Sequence, residues 1–201
     1  MKPRYDPRVF LALTLSRTAQ ERMGNVQNEI KQFLHSWHFT PQLNFHVTLR
    51  FFGEVPETQI PRISEACNRL AKTLPPLTLR WDRIDFFGNP ESARVLYIGC
   101  AECNELTRLE ETIGEIFPGD DQRKSFRAHV TLAKARKHME PGLKRVNANM
   151  LRRLRDLGRI GADPLTVDLT TVHRDFVLME TMWVGRAVDY EVRESYELGG
   201  E

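Results

Sequence analysis

The chain is poor in cysteine, has no long apolar run and carries almost no net charge. Three cysteines in 201 residues cannot all pair, which argues against a disulfide framework and for a reducing, cytoplasmic setting. Cys100 and Cys103 form a lone C-x-x-C. A structural zinc would need a second such pair or nearby histidines, so these read as ordinary thiols. No stretch approaches the roughly 20 apolar residues that cross a bilayer, and no membrane association is expected. Residues 9–15 follow a basic stretch as a signal core would. They are too few, lack a small-residue cleavage site and lead into a helical pattern, so they read as a strand. The formal charge of +2 is too small to demonstrate a nucleic-acid partner. With no low-complexity tract and no long linker, residues 1–201 are expected to form one unit.

What the chain does have is a tetrapeptide used twice, His46-Val-Thr-Leu49 and His129-Val-Thr-Leu132, 83 residues apart. At this composition a chance second copy is expected only about a few times in a thousand. Each copy follows a phenylalanine, Phe45 or Phe126, and lies in a run alternating between apolar and polar. That period of two marks a half-buried strand with successive side chains on opposite faces. Strict alternation puts His46, Thr48 and Arg50 on one face of the first strand, and Arg127, His129 and Thr131 on one face of the second.

Around these strands the order repeats. A strand at 9–15 is followed by Thr18 and Glu21 as a possible capping box. Met23, Val26, Ile30, Phe33 and Trp37 then give a helical stripe. After the first motif strand, Pro61 opens a helix carrying Ile60, Ile63, Cys67, Leu70 and Leu74. Short strands at 77–81 and 84–87, a strand at 94–99 and a helix through Leu106, Leu109, Ile113 and Ile116 precede the second motif strand. A helical pattern at Leu143, Val146, Met150, Leu154 and Leu157 and strands at 167–172, 176–180 and 190–198 complete the chain. The expected fold is α+β and bilobed: two pseudosymmetric lobes of antiparallel sheet with flanking helices around a central cleft. Residues 134–159 hold nine Lys/Arg against Glu140 and Asp156, a local net of +7. Such a segment could follow a nucleic-acid backbone or be a solvated basic helix.

Two imidazoles and two hydroxyls converging on one cleft suit a phosphodiester. A neutral imidazole takes a proton from water while a protonated one gives a proton to the leaving oxygen. Threonine hydroxyls donate to non-bridging phosphate oxygens, and a cation offsets their charge. Arg50 and Arg127 are candidates for that cation, with surface ion pairing the competing use for each. A metal centre is disfavoured, because threonine is a poor ligand and no carboxylate or third histidine completes either pair. His35, His38, His138 and His173 read as surface or structural.

The paired His-x-Thr-x tetrapeptides resemble those of the 2H phosphoesterase superfamily. The fuller match is to its RNA 2′,3′-cyclic phosphodiesterase branch, also described as 2′-5′ RNA ligase-like proteins. Four blocks carry it in order: Arg8-Val-Phe-Leu-Ala-Leu13, Asn44-Phe-His-Val-Thr-Leu-Arg-Phe-Phe-Gly-Glu54, Arg94-Val-Leu-Tyr-Ile-Gly99 and Phe126-Arg-Ala-His-Val-Thr-Leu-Ala-Lys134. The resemblance implies a bilobed fold and a metal- and cofactor-independent hydrolase. Its substrate would be RNA ending in a 2′,3′-cyclic phosphate, or a cyclic nucleotide, opened to a 2′-phosphate. By position it implies His46, Thr48, His129 and Thr131 as the catalytic residues. His46 is read as proton donor and His129 as proton acceptor, with the threonines holding the phosphate, although the sequence leaves open which histidine is acid and which base.

The chain departs from the family pattern at Ala128, where proline is usual, and at Lys134, where arginine is usual. Strict alternation places Lys134 on the Val130/Leu132 face, so a phosphate-binding role for it requires a bulge. Lysine also lacks arginine's bidentate fork. The competing functions are a non-catalytic module holding a nucleotide or RNA end, and 2′-5′ RNA end joining, the reverse reaction.

Overall fold

A run of apolar residues forms β1 (Arg8–Thr14), whose Val9, Leu11 and Leu13 are fully buried. A computed structural model describes residues 6–88, 93–100, 103–119, 126–136, 169–185 and 187–200. Helix α1 (Arg17–Lys31) follows, capped not by Thr18 but by Ser16, whose Oγ accepts from Ala19 N at 3.3 Å. Ser16 satisfies one of the first-turn N–H groups that a helix leaves unpaired. The helix stops before Phe33 and Trp37, which nevertheless pack on the core. After β2 (His38–Phe39) come the first motif strand β3 (His46–Glu54) and α2 (Ile60–Ala71), with Pro61 in its first turn.

Strand β4 (Leu77–Phe87) is continuous where two short strands are expected, because an irregularity between Trp81 and Arg83 kinks it without ending it. Then follow β5 (Val95–Cys100), α3 (Asn104–Ile116) and the second motif strand β6 (His129–Lys134). The chain ends with β7 (Leu169–His173), β8 (Asp175–Val184) and β9 (Ala187–Glu197). Strands β8 and β9 form a hairpin longer than their apolar pattern suggests. Its turn holds Gly185 at φ +64°, a left-handed conformation glycine adopts without steric cost. The expected helix through 143–157, and most of the basic segment, lie outside the described residues. Among the described residues no helix is long and apolar enough to cross a membrane.

The strands form two antiparallel sheets, ordered β3-β1-β8-β9 and β2-β6-β5-β4-β7. This is the expected α+β, two-lobed arrangement, but the lobes are not simply the two halves of the chain. Strand β2, which precedes the first motif, pairs with β6 in the other sheet. The C-terminal hairpin joins the N-terminal sheet through β1 and β8. One continuous hydrophobic cluster runs from Val9 to Leu198 and takes residues from both sheets.

A buried glutamine ties the crossing together. Gln27 of α1 is 1% exposed, and its Nε2 donates to Thr40 O at 2.7 Å and to Leu132 O at 2.9 Å. Leu132 O also accepts from Thr40 N at 2.9 Å. Gln27→Leu keeps the bulk and removes both donations. It is expected to cost about 1–3 kcal/mol, read as a lower urea midpoint with an unchanged m-value.

Candidate active site

Each motif strand departs from strict alternation at the same place. In β3, Thr48 lies opposite Ala12 and Arg50 opposite Leu11, so Leu49 is an extra residue with no partner of its own. In β6, Thr131 lies opposite Tyr97 and Ala133 opposite Leu96, and Leu132 is the extra residue. A bulge of this kind reverses the facing of everything beyond it. The cleft face therefore receives the histidine, the threonine two residues on, and the residue five places after the histidine. That last residue is Phe51 in one strand and Lys134 in the other, and both line the cavity. The bulge that Lys134 requires is present.

The same bulge corrects the placement of Arg50. It turns from the histidine face to the helical side, where it is 6% exposed and its Nη2 donates to Phe117 O at 2.7 Å. Phe117 follows the last turn of α3, where helix carbonyls lack intrahelical partners and a cation is favoured. Arg127 does not line the cavity either. Its Nη1 donates to the Tyr97 hydroxyl at 2.9 Å and lies 3.9 Å from Asp85 Oδ2. Its guanidinium stacks 5.6 Å from the Phe87 ring centroid. Of the three candidate cations, only Lys134 lines the cavity, while the Arg127 charge is felt at His129 from outside it.

His46, Thr48, His129 and Thr131 line one cavity of about 460 Å³. His46 Nδ1 is 2.9 Å from Asn44 O, and His129 Nδ1 is 2.8 Å from Arg127 O. A carbonyl only accepts, so each Nδ1 carries the hydrogen. Nε2 of each neutral ring is therefore the unprotonated nitrogen, able to accept a proton. Aromatic pairs hold both imidazoles. Phe10 and Tyr190 lie 5.1 and 4.9 Å from His46. Phe87 and Tyr97 lie 4.9 and 5.4 Å from His129.

Burial lowers the pKa of both histidines from the ordinary 6.5, taking His46 down to about 4. In each case the backbone hydrogen bond works against burial, and the Lys134 ammonium adds to the depression. Lys134 is therefore close enough to be felt at both rings.

The cavity also recruits Arg8, Thr40, Asn44, Thr181, Trp183, Val188 and Tyr190, none of which the sequence singles out as site residues. Arg8 places its guanidinium 5.0 Å from the Phe51 ring centroid. Arg8, Thr181, Trp183, Val188 and Tyr190 come from strands remote in sequence from the motif, whereas Asn44 ends the short 3-10 turn just before it. His173 proves structural: it is buried with Nε2 2.8 Å from Thr171 Oγ1, which accepts from Trp81 Nε1 at 2.9 Å. Among the described residues, no three His, Cys, Asp or Glu side chains are grouped to hold a metal ion.

The chain is similar in sequence and in fold to known proteins. Residues 13–97 match the family described as LigT like Phosphoesterase. The chain is 31% identical over 132 residues to an RNA 2′,3′-cyclic phosphodiesterase of Archaeoglobus fulgidus, covering 65% of this chain and 73% of that one. It is 31% identical over 138 residues to an RNA 2′,3′-cyclic phosphodiesterase of Thermus thermophilus, covering 63% and 68%. Among solved structures, a Thermus thermophilus protein matches with a TM-score of 0.76 at 25% identity, over 96% of this chain and 99% of that one. Apo Escherichia coli LigT matches in fold, with a TM-score of 0.70 at 19% identity over 96% and 97%. By sequence over most of each relative's length, and by fold over nearly the whole chain, this protein belongs to the LigT-like phosphoesterase family of the 2H superfamily.

Proposed function

We propose that this chain hydrolyses the 2′,3′-cyclic phosphate at an RNA end to a 2′-phosphomonoester, with paired histidines as acid and base. One observation carries the reading. Two imidazoles, each fixed through Nδ1 to the carbonyl two residues before it, share a cavity with two threonines placed alike on their strands. The names of the curated relatives support the substrate.

In the proposed reaction His129 Nε2 takes a proton from water as the water oxygen bonds to phosphorus. The bond from phosphorus to the 3′ oxygen breaks, and His46 Nε2 gives its proton to that oxygen. Water adds across one P–O bond, leaving a 2′-phosphate and a 3′-hydroxyl. Thr48 and Thr131 donate to the non-bridging oxygens, and the Lys134 ammonium offsets their charge. Lysine acts there as a point charge rather than a fork. His46 sheds its proton readily in the free protein. The anionic substrate favours its charged form, so the donor becomes protonated as the phosphate docks.

An RNA oligonucleotide ending in a 2′,3′-cyclic phosphate, incubated with excess chelator, tests the reading. The expected product is the 2′-phosphate alone, formed at the same rate with and without chelator. A 3′-phosphate product, or no opening of the ring, would refute it.

A further inference from the structure

Trp183 is 66% exposed yet lines the same cavity as the catalytic histidines. A tryptophan left this open gives up the favourable burial of a large ring. It sits near the turn of the β8–β9 hairpin, flanked by Met182 and Val184, which are also exposed. We infer that Trp183 is the platform on which the nucleobase next to the reactive phosphate stacks, an inference that rests on the hydrolytic reading above.

The hairpin is tied to the proton-transfer site. Trp183 pairs across the strands with Val188. Val188 O accepts from Asn44 Nδ2 at 3.1 Å, and Asn44 O in turn accepts from His46 Nδ1 at 2.9 Å. Asn44 thus couples β9, the strand paired with the one that carries the indole, to the ring that handles the leaving oxygen. Tyr190, whose ring is 4.9 Å from His46, pairs across the strands with Thr181. Trp183 is two residues beyond Thr181 on the same face, about 6–7 Å further along the hairpin. One cavity is therefore lined both by the polar histidines, threonines and Lys134 and by the exposed Trp183 indole further along the hairpin. A nucleotide has that division, with charge on the phosphate and a flat apolar face on the base.

Stacking on an indole accepts every base, because every base has a π-face. Trp183 therefore selects compounds that carry a base over those that do not, and does not select one base over another. Titration calorimetry with adenosine 2′-monophosphate and with ribose 2-phosphate, the same compound without its base, isolates this contribution. The parent protein is expected to prefer the nucleotide by about tenfold or more. In Trp183→Ala that preference falls to near unity, and in Trp183→Phe most of it remains. A Trp183→Ala protein that keeps the parent's preference, or a parent that has none, overturns the inference. A parent that opens no cyclic phosphate but shows a Trp183-dependent preference overturns the hydrolytic reading instead, and leaves the platform standing.

Discussion

His46→Ala and His129→Ala are each expected to lower kcat on a cyclic-phosphate RNA end by about 10²- to 10⁴-fold, the range for loss of a positioned acid or base. Circular dichroism spectra matching the parent would separate this from misfolding. The double substitution is expected to lose little more than either single one, since in the proposed mechanism the two rings act in one step. Near-parental turnover in either single variant would refute the paired mechanism. Rate profiles against pH extend the test. Burial lowers both histidines in the free protein, so the bell-shaped profile of kcat/KM is expected to be centred below pH 6.5. Bound phosphate favours the imidazolium form, so the profile of kcat is expected to lie at higher pH.

The second large effect is expected at the threonines. Thr48→Val and Thr131→Val keep shape and remove a hydroxyl that faces the cavity. Loss of one preorganised donor to developing charge costs about 10²–10³-fold in kcat. The serine variants retain the donor and are expected to recover most of the activity. If the valine variants raise KM and leave kcat intact, the threonines bind the ground state and the transition state equally.

The histidine faces were legible in the sequence because the apolar-polar alternation holds from Phe45 through Thr48 and from Ala128 through Thr131. Beyond those points alternation misplaces Arg50, because a bulge is set by pairing with a neighbouring strand. The sequence does carry a trace of it. Leu132 and Ala133 are adjacent and both buried, which an undisturbed strand with one wet face would not place together. In the first strand the corresponding pair is Leu49 and the polar Arg50, which hides the break, while Phe51 and Phe52 mark a second register shift with Phe52 as its extra residue. The helix cap lies two residues from the expected Thr18, a shift that propensity does not resolve. The β8–β9 contribution was out of reach, since Trp183, Val188 and Tyr190 meet the histidines only through tertiary pairing.

The exchange of strands between sheets bears on how the molecule comes apart. Strand β2 is anchored in one sheet while the motif strand that follows it belongs to the other, and β8–β9 crosses in the opposite sense. The two sheets share no strand pair, but the chain crosses between them at each exchange and one hydrophobic cluster takes residues from both, so the two are expected to unfold together. Amide protons at the centres of β1, β5 and β6 should consequently exchange with solvent through a single global opening. His46 and His129 lie in different sheets, so their relation is held by the hydrophobic cluster common to both and by the buried Arg50–Phe117 hydrogen bond, and loosening of that core should disturb the cavity directly.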